Sequence, residues 1–334
     1  MKSKQGNYIS IRSTVAISII SIVSTYFIAI QLTNKSTPES SSISENTANC
    51  KYDILRLSGY RYVMPVMVIE DECESQDLDP IKEKVNKVIE EFKASGELIS
   101  ASVYMKDFSK NEWFGINEGE KFNSGSLLKV PELFCFLKMN EEHPGLLSKK
   151  LTYSHPFNTD KKPIFLSKSI QLGHTYTIKE LLTYMITYSD NNATMLLNAN
   201  IDLMAFQKVF ADLGLNAPDS KSVDYPISAK DCSIFMRVLI NATYLTKEDS
   251  EFAAELLAQS DFKDGFFKNL PDNLRMVHKF GEAGNGIENE LNETAVIYLT
   301  NRTYLLTVMT KGKDFKKLSQ ILSQISDIVY QCLQ

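Results

Sequence analysis

The chain has 334 residues, 43% of them apolar, and a formal net charge of −5 with a pI near 5.6. That apolar content supports a sizeable core in one large domain or two smaller ones, while the acidic balance without a long basic run argues against nucleic acid as a partner. Five cysteines, Cys50, Cys73, Cys135, Cys232 and Cys332, show no Cys-x-x-Cys or Cys/His clustering, so neither a metal site nor a cofactor is expected.

Between Arg12 and Lys35 lie 22 uncharged residues. A membrane-crossing helix needs about 20, and Lys2, Lys4 and Arg12 precede the stretch, so residues 1–32 are expected to be a cytoplasmic tail and single membrane anchor, with the rest of the chain outside. A cleaved signal peptide competes with this, but no small-x-small site follows the apolar run. Either way the bulk of the chain is exported. Residues 33–49 hold eight Ser or Thr and read as a flexible linker. Residues 50–78 form an accessory segment: Tyr52 to Asp71 suggests one or two strands, and Cys50 and Cys73 can pair in an exported protein.

From Asp79-Pro80 the positions Ile81, Val85, Val88, Ile89 and Phe92 follow helical spacing until Ser95-Gly96. Strands are expected over Leu98 to Asp107 and Glu112 to Asn117 around the turn Ser109-Lys110-Asn111. Residues 118–270 are mostly helical, over Leu127 to Met139, Ile178 to Tyr188, Asn192 to Asn200, Met204 to Leu213, Ala229 to Leu245 and Lys247 to Gln259. Strands return at Leu274 to Gly281, Glu293 to Thr300 and Thr303 to Thr310. A last helix carries the stripe Leu318, Ile321, Leu322, Ile325, Ile328, Val329 and Leu333. The pattern is α/β in the α+β sense: one antiparallel sheet built by both ends of residues 79–334, flanked by N- and C-terminal helices, with a helical subdomain inserted.

Three short strings carry chemistry: Ser126-Leu127-Leu128-Lys129, Ser189-Asp190-Asn191 and Lys279-Phe280-Gly281. Ser126 opens an apolar run that can form a buried helix, where backbone N–H groups and the dipole favour a developing oxyanion. Lys129, three residues on, shares its face and can take the serine proton if held neutral by burial. A second Ser-x-x-Lys, Ser260 to Lys263, runs into the turn signal Asp264-Gly265 and is set aside. Ser189 to Asn191 lies on a short turn between helices. Lys279 lies on an edge-like strand, and Gly281 allows close backbone approach. No Gly-x-Ser-x-Gly elbow exists, and the four histidines have no evident Asp partner in sequence.

The order and spacing of these strings resemble the penicillin-recognising serine hydrolases, specifically class A beta-lactamases and their beta-lactamase-like relatives, over about residues 79 to 334. The resemblance implies that Ser126 is the acylated nucleophile and Lys129 its base. It further implies that Ser189 protonates the leaving nitrogen, Asn191 holds the substrate amide and Lys129, and Lys279 meets the substrate carboxylate. The N–H groups of Ser126 and Glu282 would form the oxyanion hole, with Asp190 and Gly281 shaping the substrate-binding surface. Two departures stand out. The family's Glu-x-x-Asn element is missing: from Asn192 to Lys247 there is no Glu, leaving Asp224 as a possible deacylating base. Phe280 also replaces the hydroxyl of the Lys-Thr-Gly form. The expectation is therefore a membrane-anchored, extracytoplasmic serine hydrolase opening beta-lactams with slow deacylation. The alternatives are a peptidoglycan D,D-peptidase or other acyl hydrolase acting on an acyl-peptide, or a noncatalytic cell-wall-binding module.

Overall fold

The computed structural model describes residues 54–56, 61–64, 66–69, 73–157, 165, 167–219, 225–284 and 286–334. The expected anchor and linker, Cys50 with its pairing to Cys73, and Asp224 lie outside these. Among the described residues no helix is long and apolar enough to cross a membrane.

The elements run β1 (Ile54–Arg56), β2 (Val66–Ile69), β3 (Cys73–Glu74), α1 (Asp79–Ala94), β4 (Leu98–Asp107), β5 (Glu112–Ile116), β6 (Lys121–Asn123) and α2 (Lys129–Glu142). Then come β7 (Lys150–Thr152), β8 (Thr175–Thr177), α3 (Ile178–Thr187), α4 (Asn191–Asn198), α5 (Leu203–Asp212), β9 (Pro226–Ser228), α6 (Ala229–Ile240) and α7 (Lys247–Ala258). The chain closes with β10 (Arg275–Gly284), β11 (Asn289–Tyr298), β12 (Thr303–Gly312) and α8 (Phe315–Leu333).

One sheet in the order β10-β11-β12-β4-β5-β3 organises the molecule, antiparallel except where β3 meets β5. Its strands do not alternate between buried and exposed residues, because both faces are covered. On one side α1 and α8 bring Ile81, Val85, Ile89, Leu318, Ile321, Leu322, Ile325 and Val329 against Met105, Phe114, Leu306 and Val308. On the other, Val277, Val296, Leu305 and Met309 join the core of the helical insertion. Each such aliphatic side chain contributes about 1.5–3 kcal/mol by leaving water, so the sheet is the rigid floor of whatever stands at its edge.

The insertion is nucleated by its own capping chemistry. Thr177 and Glu180 form a capping box on α3, while Asp190, Asp202, Ser228 and Thr246 cap α4, α5, α6 and α7 with their side chains. Two expected boundaries move by four residues or more. Helix α6 stops at Ile240 rather than Leu245, because Asn241 ends it and Ala242 takes a left-handed φ of 50°. Strand β11 begins at Asn289, earlier than Glu293. Its polar start is stabilised by Asn292 Nδ2 donating to the Asn123 carbonyl at 2.8 Å and by Asn292 Oδ1 accepting from the Thr310 amide at 3.1 Å.

Within the accessory segment β1 and β2 pair antiparallel. Residues 61–64 are fastened to the main body: the Glu251 carboxylate accepts from the amides of Arg61, Tyr62 and Val63, and the Tyr298 hydroxyl donates to the Tyr62 carbonyl.

Candidate active site

Strand β6 pairs with β9 and delivers the chain to Ser124, whose amide donates to the Tyr225 carbonyl at 3.0 Å. A single 3₁₀ turn, Gly125–Leu128, then leads into α2. Ser126 therefore lies in that turn, just ahead of the α-helix expected to start near it, and it is half-buried. The turn is pressed against β10 backbone to backbone. Gly125 has φ +51°, and a Cβ there would fall 2.5 Å from the Glu282 carbonyl oxygen and 2.9 Å from the Glu282 nitrogen. A Cβ on Gly281 would fall 2.3 Å from the Ser124 carbonyl oxygen and 3.0 Å from the Ser126 nitrogen. Glycine on both sides is what lets the two backbones, and with them the Ser126 and Glu282 amides, come this close.

Lys129, first residue of α2, is only 4% exposed. Its Nζ donates to the Ser189 carbonyl at 2.6 Å, to Asn191 Oδ1 at 2.8 Å and to Ser189 Oγ at 3.3 Å. From the edge strand β10 the fully buried Lys279 donates to the same Ser189 Oγ at 2.8 Å and to the Phe280 carbonyl at 3.0 Å. Two amines thus converge on one hydroxyl. Burial pushes the Lys129 amine down to about 8, against the pull of Glu132, Asp190 and Glu282. Lys279 is pushed well below the ordinary lysine range by burial first and by the charge of Lys129 second. Near neutral pH the site can hold an unprotonated amine beside a hydroxyl, which is what a proton relay requires.

Ser189 has a left-handed φ of 52°, a conformation that costs about 1 kcal/mol or more for a residue with a Cβ. Asp190 holds it there from inside. Its carboxylate accepts from the amides of Asn192 and Ala193, from Ser169 Oγ at 2.7 Å and from the Ile170 amide at 2.9 Å. The oxygens of Asp190 are thus engaged within the protein, where they shape the turn that presents Ser189 and Asn191.

Phe280 packs away its ring at 5% exposure, stacked on Phe262 with centres 3.9 Å apart and edge-on to Phe165 at 5.8 Å. The Lys279 Nζ lies 4.4 Å from the same ring centre. The hydroxyl of the Lys-Thr-Gly form is therefore replaced by an aromatic cluster flanking the lysine. The second Ser-x-x-Lys meets the site through the Phe262 ring stacked on Phe280: Ser260 is buried just after α7, and Lys263 Nζ lies over the Phe267 ring at 3.9 Å.

Two features escape a reading of the sequence. Glu132, one turn after Lys129 and 5% exposed, accepts at Oε1 from Asn198 Nδ2 at 3.2 Å; its signal was a lone acid in the apolar run Leu127 to Leu137. Behind β10, His278 Nδ1 and Glu293 Oε1 are 2.7 Å apart, both fully buried, and Glu293 Oε2 accepts from the Phe266 amide. That histidine finds a Glu on the neighbouring strand, a diagonal pairing visible only through the register.

Among known proteins, residues 80–333 match the Beta-lactamase2 model, described as a beta-lactamase enzyme family. The structure is similar to PBP-A, with 19% identity over 80% of this chain and 99% of that one and a TM-score of 0.63. It is similar to a PBP-A mutant in an acyl-enzyme complex with penicillin G, at 20% identity over 77% and 97% of the two chains and a TM-score of 0.63. The class A beta-lactamase from Mycobacterium abscessus shares 18% identity over 76% and 99%, again with a TM-score of 0.63. No curated protein matches the sequence. At such identities the structural likeness establishes the fold, an antiparallel sheet with helices on both faces. With the family model spanning residues 80–333, the chain belongs to the beta-lactamase enzyme family, a family of beta-lactamase-like serine hydrolases.

Proposed function

We propose that this chain is a membrane-tethered, extracytoplasmic serine hydrolase that opens beta-lactams through an acyl-enzyme on Ser126. The observation that carries the reading is the convergence of Lys129 and Lys279 on Ser189 Oγ beside the Ser126 turn. Neutral Lys129 takes the proton from Ser126 Oγ as that oxygen attacks the lactam carbonyl carbon. The oxyanion is met by the N–H groups of Ser126 and Glu282, and the C–N bond breaks as Ser189 passes its proton to the nitrogen. Ser189 is reprotonated from the lysine that took the first proton. One structural neighbour, a PBP-A mutant, is an acyl-enzyme complex with penicillin G, which supports this chemistry for the fold.

Water must then attack the ester, and the absence of Glu from Asn192 to Lys247 supports slow deacylation, with Asp224 as the base. The same absence, with Phe280 in place of a hydroxyl, favours a second reading in which the natural substrate is a peptidoglycan-like acyl-peptide. The tether rests on the uncharged stretch after a basic N-terminus.

Incubating the full-length chain with a fluorescent penicillin and following intact mass tests the acylation. A stable adduct on Ser126, lost in Ser126→Ala, is expected; label at Ser260 or no adduct with any beta-lactam sinks the assignment. Rapid-quench kinetics with a chromogenic cephalosporin should give a burst followed by turnover slower by roughly 10²- to 10⁴-fold than acylation. Sustained fast turnover, unchanged in Asp224→Asn, would exclude slow deacylation.

A further inference from the structure

Helix α2 is apolar on nearly every side, with Val130, Leu133, Phe134, Cys135, Phe136 and Leu137 buried. Into that interior it carries one carboxylate. Glu132 stands one turn beyond Lys129, and its buried Oε2 has no hydrogen-bond partner among the described residues. Its other oxygen is held by Asn198, at the end of the helix whose first residue, Asn191, accepts from Lys129 Nζ. Lys129 and Glu132 on α2 are thereby tied to both ends of α4. Burying a carboxylate disfavours folding, and an apolar side chain would fill the position at less cost.

We propose that Glu132 is a positioning residue for Lys129: its carboxylate, fixed by Asn198 and shielded from water, holds the charge of the amine and sets the pH at which that amine can act as a base. This rests on the reading of Ser126 acylation given above. Lys129 faces Glu132 on its own helix, Asp190 at the α4 cap, and Lys279 and Glu282 on β10. Glu132 faces Lys129, Asn198 from α4 and the Cys135 thiol on α2, which in turn faces Asp202 at the α5 cap. Burial pushes the Glu132 carboxyl up to about 7, opposed by the Asn198 hydrogen bond and by Lys129. Glu132 is first among the anions that pull the amine upward.

The direction of each perturbation follows. Removing the anion removes an upward pull on Lys129, so its neutral form is reached at lower pH. Removing the Asn198 donor destabilises the carboxylate and raises its pKa, which weakens its upward pull and so lowers the midpoint of the amine as well.

The experiment titrates Lys129 in the full-length chain labelled with ε-¹³C-lysine, its resonance assigned by loss in Lys129→Arg. Acylation by a fluorescent penicillin is measured over the same pH range. Both midpoints are expected to fall by about one to two pH units in Glu132→Gln, the usual effect of a neighbouring opposite charge, and by less in Asn198→Leu. A defect of packing alone would lower the rate without moving either midpoint. Unmoved or rising Lys129 midpoints in the folded variants overturn the proposal. Should Glu132→Gln fail to fold, Asn198→Leu decides alone, since that side chain reaches solvent. A wild type that never acylates, while its Lys129 midpoint still falls in the variants, supports control by Glu132 and sinks the role of Ser126.

Discussion

Replacing Gly281 by alanine would set a methyl group 2.3 Å from the Ser124 carbonyl oxygen, 2.9 Å from the Leu127 nitrogen and 3.0 Å from the Ser126 nitrogen. The first contact is about 1 Å short of ordinary van der Waals separation. All three atoms are backbone, so no rotamer change relieves it and β10 must part from the 3₁₀ turn. Overpacking of this kind costs about 1–3 kcal/mol, and a domain of this size loses about 2–4 °C in Tm for each of them. Most of the protein stays folded. The larger effect falls on chemistry, because the parting moves the Ser126 amide relative to that of Glu282, and losing one oxyanion donor costs about 10²- to 10³-fold in rate. The assay is the rate of fluorescent-penicillin labelling beside a thermal melt, with Gly119→Ala, whose added Cβ meets nothing within 4 Å, as control. Wild-type labelling by a Gly281→Ala chain with a lowered Tm would refute the idea that this glycine contact frames the oxyanion site.

Three other outcomes are expected. Acylation by the wild type should rise about tenfold per pH unit from roughly pH 6 and level off near 8, because burial brings Lys129 down to about 8 and only its neutral form accepts a proton; a flat profile excludes it as the base. Asp190→Ala strips the acceptor from the Asn192, Ala193 and Ile170 amides and from Ser169 Oγ, and should cost about 2–4 kcal/mol in urea unfolding, with a smaller loss in Asp190→Asn; a change under about 0.5 kcal/mol, the scale of an ordinary surface substitution, would mean that something else holds the turn. Glu251→Ala leaves the amides of Arg61, Tyr62 and Val63 without their acceptor, so trypsin should cut at Arg61 at least about tenfold faster, the equivalent of only one of the three hydrogen bonds lost; an unchanged rate would show that the Tyr298 contact suffices.

Much of the framework is legible along the chain because it is encoded in local spacing. The stripe from Leu318 to Leu333 repeats with the helical period and forms α8, and Asp79-Pro80 and Ser95-Gly96 bracket α1. Ser126 and Lys129 are neighbours on successive turns for the same reason. The order of the three strings was enough to imply the family that the match over residues 80–333 establishes. Polar residues spoiled the pattern at the start of β11, where Asn292 is satisfied by Asn123 and Thr310, partners distant in sequence.

What the sequence by itself determined, then, is which residue types stand on which element and at which end. Tertiary structure alone decided that Lys129 and Lys279 reach one hydroxyl at sequence separations of 60 and 90, and that Glu132 finds Asn198 at a separation of 66. It likewise decided that the Phe280 ring stacks on Phe262 and that His278 is answered by Glu293. A helix fixes its neighbours through a rise of about 1.5 Å per residue. Contacts between elements depend instead on strand register and on how two apolar faces settle against one sheet. The shifts of the two buried lysines belong to that second category, since desolvation exists only once the surrounding elements have closed over them.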